Sequence, residues 1–230
     1  MNKSNLIALA VAAMAATSAP AFAANLMING DFETPITPTG SFTVYGGGSS
    51  FTGWNVTGPS GNAVLLLSTT YSEPNITFQA QSGLASMDLT GAGNTGPTSG
   101  INQDVTTVFG RKYALTFWVG NADGSGNSNY LLPSTVNLSI NGGGLVGFTN
   151  STTTTFQNNW QQFNTTFVAT GTTTNIAFFN GTGRSDAETG LDSVSLQSAV
   201  PEPASWALML GGFFGLGAVL RRIRRAAVAA

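Results

Sequence analysis

The stretch Gln161-Gln162-Phe163-Asn164-Thr165-Thr166-Phe167-Val168-Ala169 decides the fold. Phe163, Thr165, Phe167 and Ala169 alternate with Asn164, Thr166 and Val168, and a period of two marks a strand with one buried face. The same alternation recurs in Val136, Leu138 and Ile140, in Ile176 with Phe178, and in Val194 with Leu196. Between these runs stand Gly46-Gly47-Gly48, Gly58-Pro59-Ser60-Gly61, the glycine-rich stretch 91–100, the stretch 123–129, Asn141-Gly142-Gly143-Gly144 and Gly181-Thr182-Gly183. Such clusters turn the chain. Nothing between 24 and 199 shows helical periodicity. The expectation is an all-β domain, an antiparallel β-sandwich.

Strands are expected over 26–32, 41–44, 54–57, 63–67, 84–89, 100–105, 112–119, 135–140, 145–149, 161–169, 174–179 and 192–196. The longest loop, 120–133, is rich in Asn, Ser and Gly and is expected to be mobile. No internal repeat interrupts the order.

The ends have a different composition. Lys3 precedes an apolar run over 6–16 and then Ala21-Phe22-Ala23, the pattern of a secretory signal peptide cleaved after Ala23. At the other end, Pro201-Glu202-Pro203 precedes an uncharged apolar run over 204–220, followed by Arg221, Arg222, Arg224 and Arg225. As a helix that run reaches about 26 Å, near the lower limit for a membrane span. The arginines favour the cytoplasmic side. Three segments follow: signal peptide 1–23, β-sandwich 24–199, and a sorting or anchor segment over 200–226 that includes a transmembrane helix.

Pro201, Glu202, Pro203, the apolar run and the arginine cluster resemble, in that order, the PEP-CTERM sorting signal of Gram-negative bacteria. The resemblance implies recognition by an exosortase-type sorting protease. It also implies export through the Sec pathway, transient anchoring in the inner membrane, and delivery to the cell surface or medium. An ordinary C-terminal anchor helix is the plainer alternative.

Without its ends the domain carries only Arg111, Lys112 and Arg184 against nine acidic residues, a formal net charge of −6. That charge repels nucleic acid and anionic lipid, which excludes both as partners. There is no histidine and no cysteine. The usual general base of serine and cysteine hydrolases is therefore missing, and an exported domain without disulfides rests on its core.

The phrases Asn25-Leu26-Met27-Ile28-Asn29-Gly30-Asp31-Phe32-Glu33, Gly53-Trp54-Asn55-Val56, Met87-Asp88-Leu89-Thr90-Gly91, Gly100-Ile101-Asn102-Gln103-Asp104-Val105, Tyr113-Ala114-Leu115-Thr116-Phe117 and Gly190-Leu191-Asp192-Ser193-Val194-Ser195-Leu196 follow one another in order. Together they resemble the choice-of-anchor C family, relatives of a plant cell-wall family of unknown function. The resemblance implies the galactose-binding-like jelly roll found in many carbohydrate-binding modules. It further implies that the first and last strands lie side by side, with a structural Ca2+ between Glu33 and Asp192. Calcium takes six to eight hard oxygens, so backbone carbonyls would supply most ligands; a turn-capping role for each carboxylate is the equal alternative. Ser193 stands where many relatives carry a second Asp, which removes one candidate ligand.

On the strand over 112–119, Tyr113, Leu115, Phe117 and Val119 face one way, and Ala114, Thr116 and Trp118 the other. An outward indole offers a stacking surface for sugar C–H faces, with Thr116 beside it for hydroxyls; cover by a loop is the alternative. Tyr45 and Tyr130 are further candidates for carbohydrate binding, whereas Trp54 and Trp160 are expected to pack structurally. Asp186 and Glu188 lie close in sequence, as glycosidase carboxylates must lie close in space, but solvated turn positions are the expectation. The leading reading is a non-catalytic, surface-sorted module that binds polysaccharide. A structural protein of the exopolysaccharide or biofilm matrix without a specific sugar ligand is the alternative, and a glycoside-hydrolase-like enzyme is third.

Overall fold

The computed structural model describes residues 24–73, 76–91, 99–122, 130, 133–152, 157–183, 187–199, 211–217 and 221. Fourteen strands run in order: β1 Phe42–Gly46, β2 Ser50–Phe51, β3 Trp54–Thr57, β4 Ala63–Ser68, β5 Ser72–Glu73, β6 Ile76–Thr77, β7 Ala85–Asp88, β8 Gly100–Thr106, β9 Lys112–Ala122, β10 Ser134–Ile140, β11 Val146–Asn150, β12 Asn158–Val168, β13 Thr173–Asn180 and β14 Gly190–Ser198. A front sheet has the order β1-β4-β7-β14-β9-β12 and a back sheet β11-β10-β13-β8-β3-β2; β5 and β6 form a separate small ribbon. All strand pairings are antiparallel. The expected all-β sandwich is the observed fold.

The alternation is what makes the two sheets stack. Tyr113, Leu115, Phe117 and Val119 of β9 meet Val136 and Leu138 of β10, Ile176 and Phe178 of β13, and Ile101 of β8 in one buried core. Phe117 sits 5.1 Å from Phe178 and 5.0 Å from Phe148, ring to ring in edge-on geometry. Such packing adds to what area burial alone contributes. On β12 the residues Phe163 and Phe167 lean on this core from the sheet edge, while Gln162, Asn164, Thr166 and Val168 are exposed.

One expected strand is absent. Residues 26–32 form bends and turns, because Asn29 (φ 51°) and Phe32 (φ 58°) leave the extended region. The segment still lies along β14, as the resemblance implies. Leu26 N–H donates to Leu196 O and Val194 N–H to Gly30 O. A Cβ at Gly30 would stand 2.1 Å from the Val194 carbonyl oxygen, so only glycine allows that approach. On its other side the Gln103 side chain replaces a strand partner. Its Oε1 accepts from Ile28 N–H at 2.7 Å, and its Nε2 donates to Ile28 O at 2.9 Å. The segment thus ties β14 of the front sheet to β8 of the back sheet.

Two further differences bear on the site. Strand β9 continues to Ala122, beyond the expected end at 119, and 123–129 lie outside the described residues. The strands β2, β5 and β6 had no sequence signal, being two residues each. Among the described residues no helix is long and apolar enough to cross a membrane. Residues 211–217 are helical. The expected signal peptide, Pro201, Glu202, Pro203, Arg222, Arg224, Arg225 and the remainder of the expected transmembrane helix lie outside the described residues.

Gln103 is 3% exposed, and Gln103→Ala removes both hydrogen bonds to the Ile28 backbone, one to its N–H and one to its C=O. The expected cost is about 1–3 kcal/mol, read as a lower midpoint in urea denaturation with an unchanged slope.

Candidate functional site

The even-numbered residues of β9 face away from the core, and pairing register extends that face across the front sheet. One row runs Trp160–Gly120–Gly190–Asp88–Leu65–Val44; beside it, on the same face, lie Gln162–Trp118–Asp192 at one end and Ser86–Leu67–Phe42 at the other. Paired residues point to the same side of a sheet, so these twelve positions share the outer face.

One half of the face is covered. Leu65 and Leu67 pack under Tyr71, Ile76, Phe78 and Tyr130, a second apolar cluster separate from the main core. Its rings form an arc: Phe42 lies 5.2 Å from Tyr71, Tyr71 stacks at 5.5 Å on Phe78, and Phe78 meets Tyr130 edge-on at 5.3 Å. Both phenols reach one carboxylate, Tyr71 donating to Oε1 and Tyr130 to Oε2 of Glu73, each at 2.7 Å.

Asp192 lies at the seam between covered and open halves, fully buried. Its Oδ2 accepts from Gln81 and Ser82 N–H at 3.0 and 3.3 Å, and its Oδ1 from Ser193 N–H at 2.5 Å. Glu33 Oε1 accepts from Leu84 and Ala85 N–H at 2.8 and 3.1 Å, on the same segment. The structure therefore brings Glu33 and Asp192 to one loop. Burial pushes the Asp192 carboxyl up to about 7 against those three bonds, and the Glu33 charge adds to the rise. A fully buried carboxylate beside a second one suits a divalent cation by charge. The carboxylates supply few of the oxygens calcium needs; among the described residues no three His, Cys, Asp or Glu side chains group to hold a metal ion.

The open half carries aromatic and amide side chains. Trp118, half-buried on the outer face as its strand phase requires, stands between Asp192 and Gln162. Trp160 lies across the neighbouring pair, over Gly120 and Gly190, where an added Cβ would come within 2.8 and 2.9 Å of its ring. Its Nε1 donates to Gln79 O at 2.9 Å. Trp160 thus packs structurally, as expected, and it also remains half-exposed on the same face as Trp118, diagonally placed on the adjacent strand. Exposed Gln162 and Asn164 flank them, and Thr116 Oγ1 donates to Asn164 Oδ1 at 2.7 Å. Sequence reasoning missed Trp160 because phase was assigned to β9 alone; pairing β9 with β12 puts both indoles on one side.

The other expectations fall apart spatially. Tyr45 turns to the inner face, its ring 4.7 Å from Phe51, and belongs to the main core's edge. Tyr130 lies on the covered half, 6% exposed. Trp54 is 1% exposed, packs on Phe32 and donates its Nε1 hydrogen to Asn29 O, a structural role as expected.

Residues 25–197 match the model of DUF642, described as a protein of unknown function. The chain belongs to the DUF642 family. No curated protein matches the sequence. Among solved structures this family member is similar to the CBM22-1 xylan-binding domain of Paenibacillus barcinonensis Xyn10C, at 13% identity and a TM-score of 0.41 over 72% of this chain and 99% of that one. It is also similar to TmCBM61 in complex with β-1,4-galactotriose, at 17% identity and 0.43 over 76% and 99%. At these values neither likeness assigns a ligand to this chain.

The Asp186–Glu188 expectation needs correction. Asp186 is outside the described residues. Glu188 is 2% exposed rather than solvated; the turn folds inward beneath β10, where Ser134 Oγ donates to Glu188 O. Its Oε1 accepts from Asn158 Nδ2, and its Oε2 is buried without a partner. Burial first, then the Asp88 charge, raises its pKa well above the usual glutamate value. Burial likewise lifts Asp88 to about 6, against backbone N–H bonds from Thr189, Thr90 and Gly91. A carboxyl so enclosed has no room for a glycosidic bond against it.

Both pKa values lie above those of the unfolded chain. The native state therefore binds protons more tightly than the unfolded one, and stability falls as pH rises from about 4 through about 6. Glu188→Gln removes the charge and keeps an acceptor for Asn158. It should leave the melting temperature unchanged in acid and raise it well above neutrality by about 2–4 °C per kcal/mol gained, flattening the pH profile.

Proposed function

We propose that this DUF642 chain is an exported, non-catalytic β-sandwich module that binds polysaccharide on the open half of its front sheet. The supporting observation is the pair of half-exposed indoles, Trp118 and Trp160, on adjacent strands of one face. An indole in water is costly unless something covers it, because the ring presents apolar surface to solvent. Sugar rings offer C–H faces that cover such surface, and Gln162, Asn164 and Thr116 supply donors and acceptors for hydroxyls at its border. Two stacking rings side by side suit a chain of sugar units better than a single residue.

Export and delivery remain the reading of the ends: a Sec signal peptide over 1–23, and a sorting segment over 200–226 handled by an exosortase-type protease at the inner membrane. Cell-surface or matrix polysaccharide is the partner within reach after that route. A purely structural matrix role would leave both indoles without a ligand.

The test is binding of a glycan array by the wild type and by Trp118→Ala, with stability measured on the same samples. Trp118 is only half-buried, so truncation should cost about 1 kcal/mol, while affinity for the array's best ligand drops about tenfold or more. A stability loss of about 3–5 kcal/mol would place Trp118 in a core and remove the platform.

Calcium at Glu33 and Asp192 belongs to the same proposal, as a stabiliser of the segment that borders the platform. A cation bound only by the folded state adds about 2.7 kcal/mol at a hundredfold excess over Kd, several degrees of melting temperature for a domain of this size. Chelator should lower the melting temperature of the wild type and leave Asp192→Asn unmoved. An unchanged wild type would leave the two carboxylates as caps for the amides of Gln81, Ser82, Leu84 and Ala85.

A further inference from the structure

The covered half of the front sheet holds a cavity of about 150 Å3 that the polysaccharide reading does not use. Its floor is Leu65, Leu67 and Asp88; Phe42, Tyr71, Phe78 and Tyr130 wall it with aromatic rings, and Glu73 stands beside the two phenols. Among the described residues no lysine or arginine lines it. Arg111 and Lys112 stand at the opposite end of β9 from Ala122, which packs in this cluster.

Each wall contributes the same preference. The Tyr71 and Tyr130 hydroxyls donate to Glu73, which leaves their ring faces electron-rich, and such faces attract cations. Asp88 is 6% exposed with both oxygens occupied by backbone N–H donors, yet no cation neutralises it among the described residues. Behind it lies Glu188, whose Oε2 is buried without a partner. A neutral sugar would gain stacking on the rings and leave the Glu73 and Asp88 carboxylates uncompensated. A phosphate or carboxylate would be repelled. A protonated amine gains from the rings and from the carboxylates together.

We propose that this cavity is a binding site for a protonated primary amine carried on a small ring or chain, as in the amino sugar units of a partly deacetylated polysaccharide. The volume admits one such unit. The site lies on the opposite half of the face from Trp118 and Trp160 and does not depend on the platform they form.

Calorimetric titration of the full chain near neutral pH tests it, with the glucosamine trimer, the N-acetylglucosamine trimer and cadaverine as probes. The glucosamine trimer should bind, and the N-acetylated trimer, which has the same sugar backbone but neutral acetamido groups in place of the ammonium groups, should bind about tenfold or more weakly. Glu73→Gln keeps an amide oxygen for the tyrosine hydroxyls but removes the charge, and should weaken the glucosamine trimer by about tenfold. Asp88→Asn should act in the same direction; if it fails to fold, Glu73→Gln decides alone. Trp118→Ala should leave this affinity unchanged, which separates the cavity from the platform. Cadaverine binding as tightly as the glucosamine trimer would support the amine site and assign it to alkylamines. Equal affinity for the two trimers, no binding of any probe, or full affinity in Glu73→Gln overturns the proposal.

Discussion

The eleven residues of β9, paired along their whole length with β12 and over most of it with β14, impose one constraint on everything around them. A strand must send successive side chains to opposite faces. Once Tyr113, Leu115, Phe117 and Val119 are buried, Thr116, Trp118 and Gly120 have no choice but to face outward. The core and the candidate platform are therefore two consequences of one register. A slip by one residue would exchange them and bury Thr116, Trp118 and Gly120 in place of the four core side chains.

A second constraint is electrostatic. The domain encloses carboxylates without basic partners among the described residues, and backbone amides satisfy buried Asp88 and Asp192 and half-buried Glu33. Asp88 holds Thr90, Gly91 and Thr189; Asp192 holds Gln81, Ser82 and Ser193; Glu33 holds Leu84 and Ala85. Each carboxylate pins a stretch of irregular chain onto the outer face, because an amide N–H that leaves water needs an acceptor. The raised pKa values of Asp88 and Asp192 show that the amides offset burial only in part. Negative potential thus collects on one side of one sheet, where the aromatic residues also gather. That coincidence gives the face a charge character as well as a shape.

The sandwich itself was legible in the sequence. Alternation needs only neighbours along the chain, so eleven of the twelve expected strands are present, with ends shifted by a few residues. The orientation of Trp118 followed from the same local rule. The strand expected over 26–32 failed for a non-local reason. Met27 and Phe32 are buried and the segment does run along β14, but Gln103, 75 residues away from Ile28, supplies the partner that a neighbouring strand would have given.

What the sequence determined by itself was the all-β class, the inward and outward faces of each long strand, and an acidic domain without histidine or cysteine chemistry. Each of these depends on residue type and local spacing. Tertiary structure alone decided which outward faces adjoin. It set Trp160 beside Trp118, turned Tyr45 into the core's edge, folded Glu188 out of solvent, and closed Tyr71, Glu73, Phe78 and Tyr130 over Leu65, Leu67 and Asp88. The physical reason is that strand order and register join residues tens of positions apart, through hydrogen bonds between backbones that carry no side-chain signature. Such pairings leave no periodic trace in the chain, and the site is made of them.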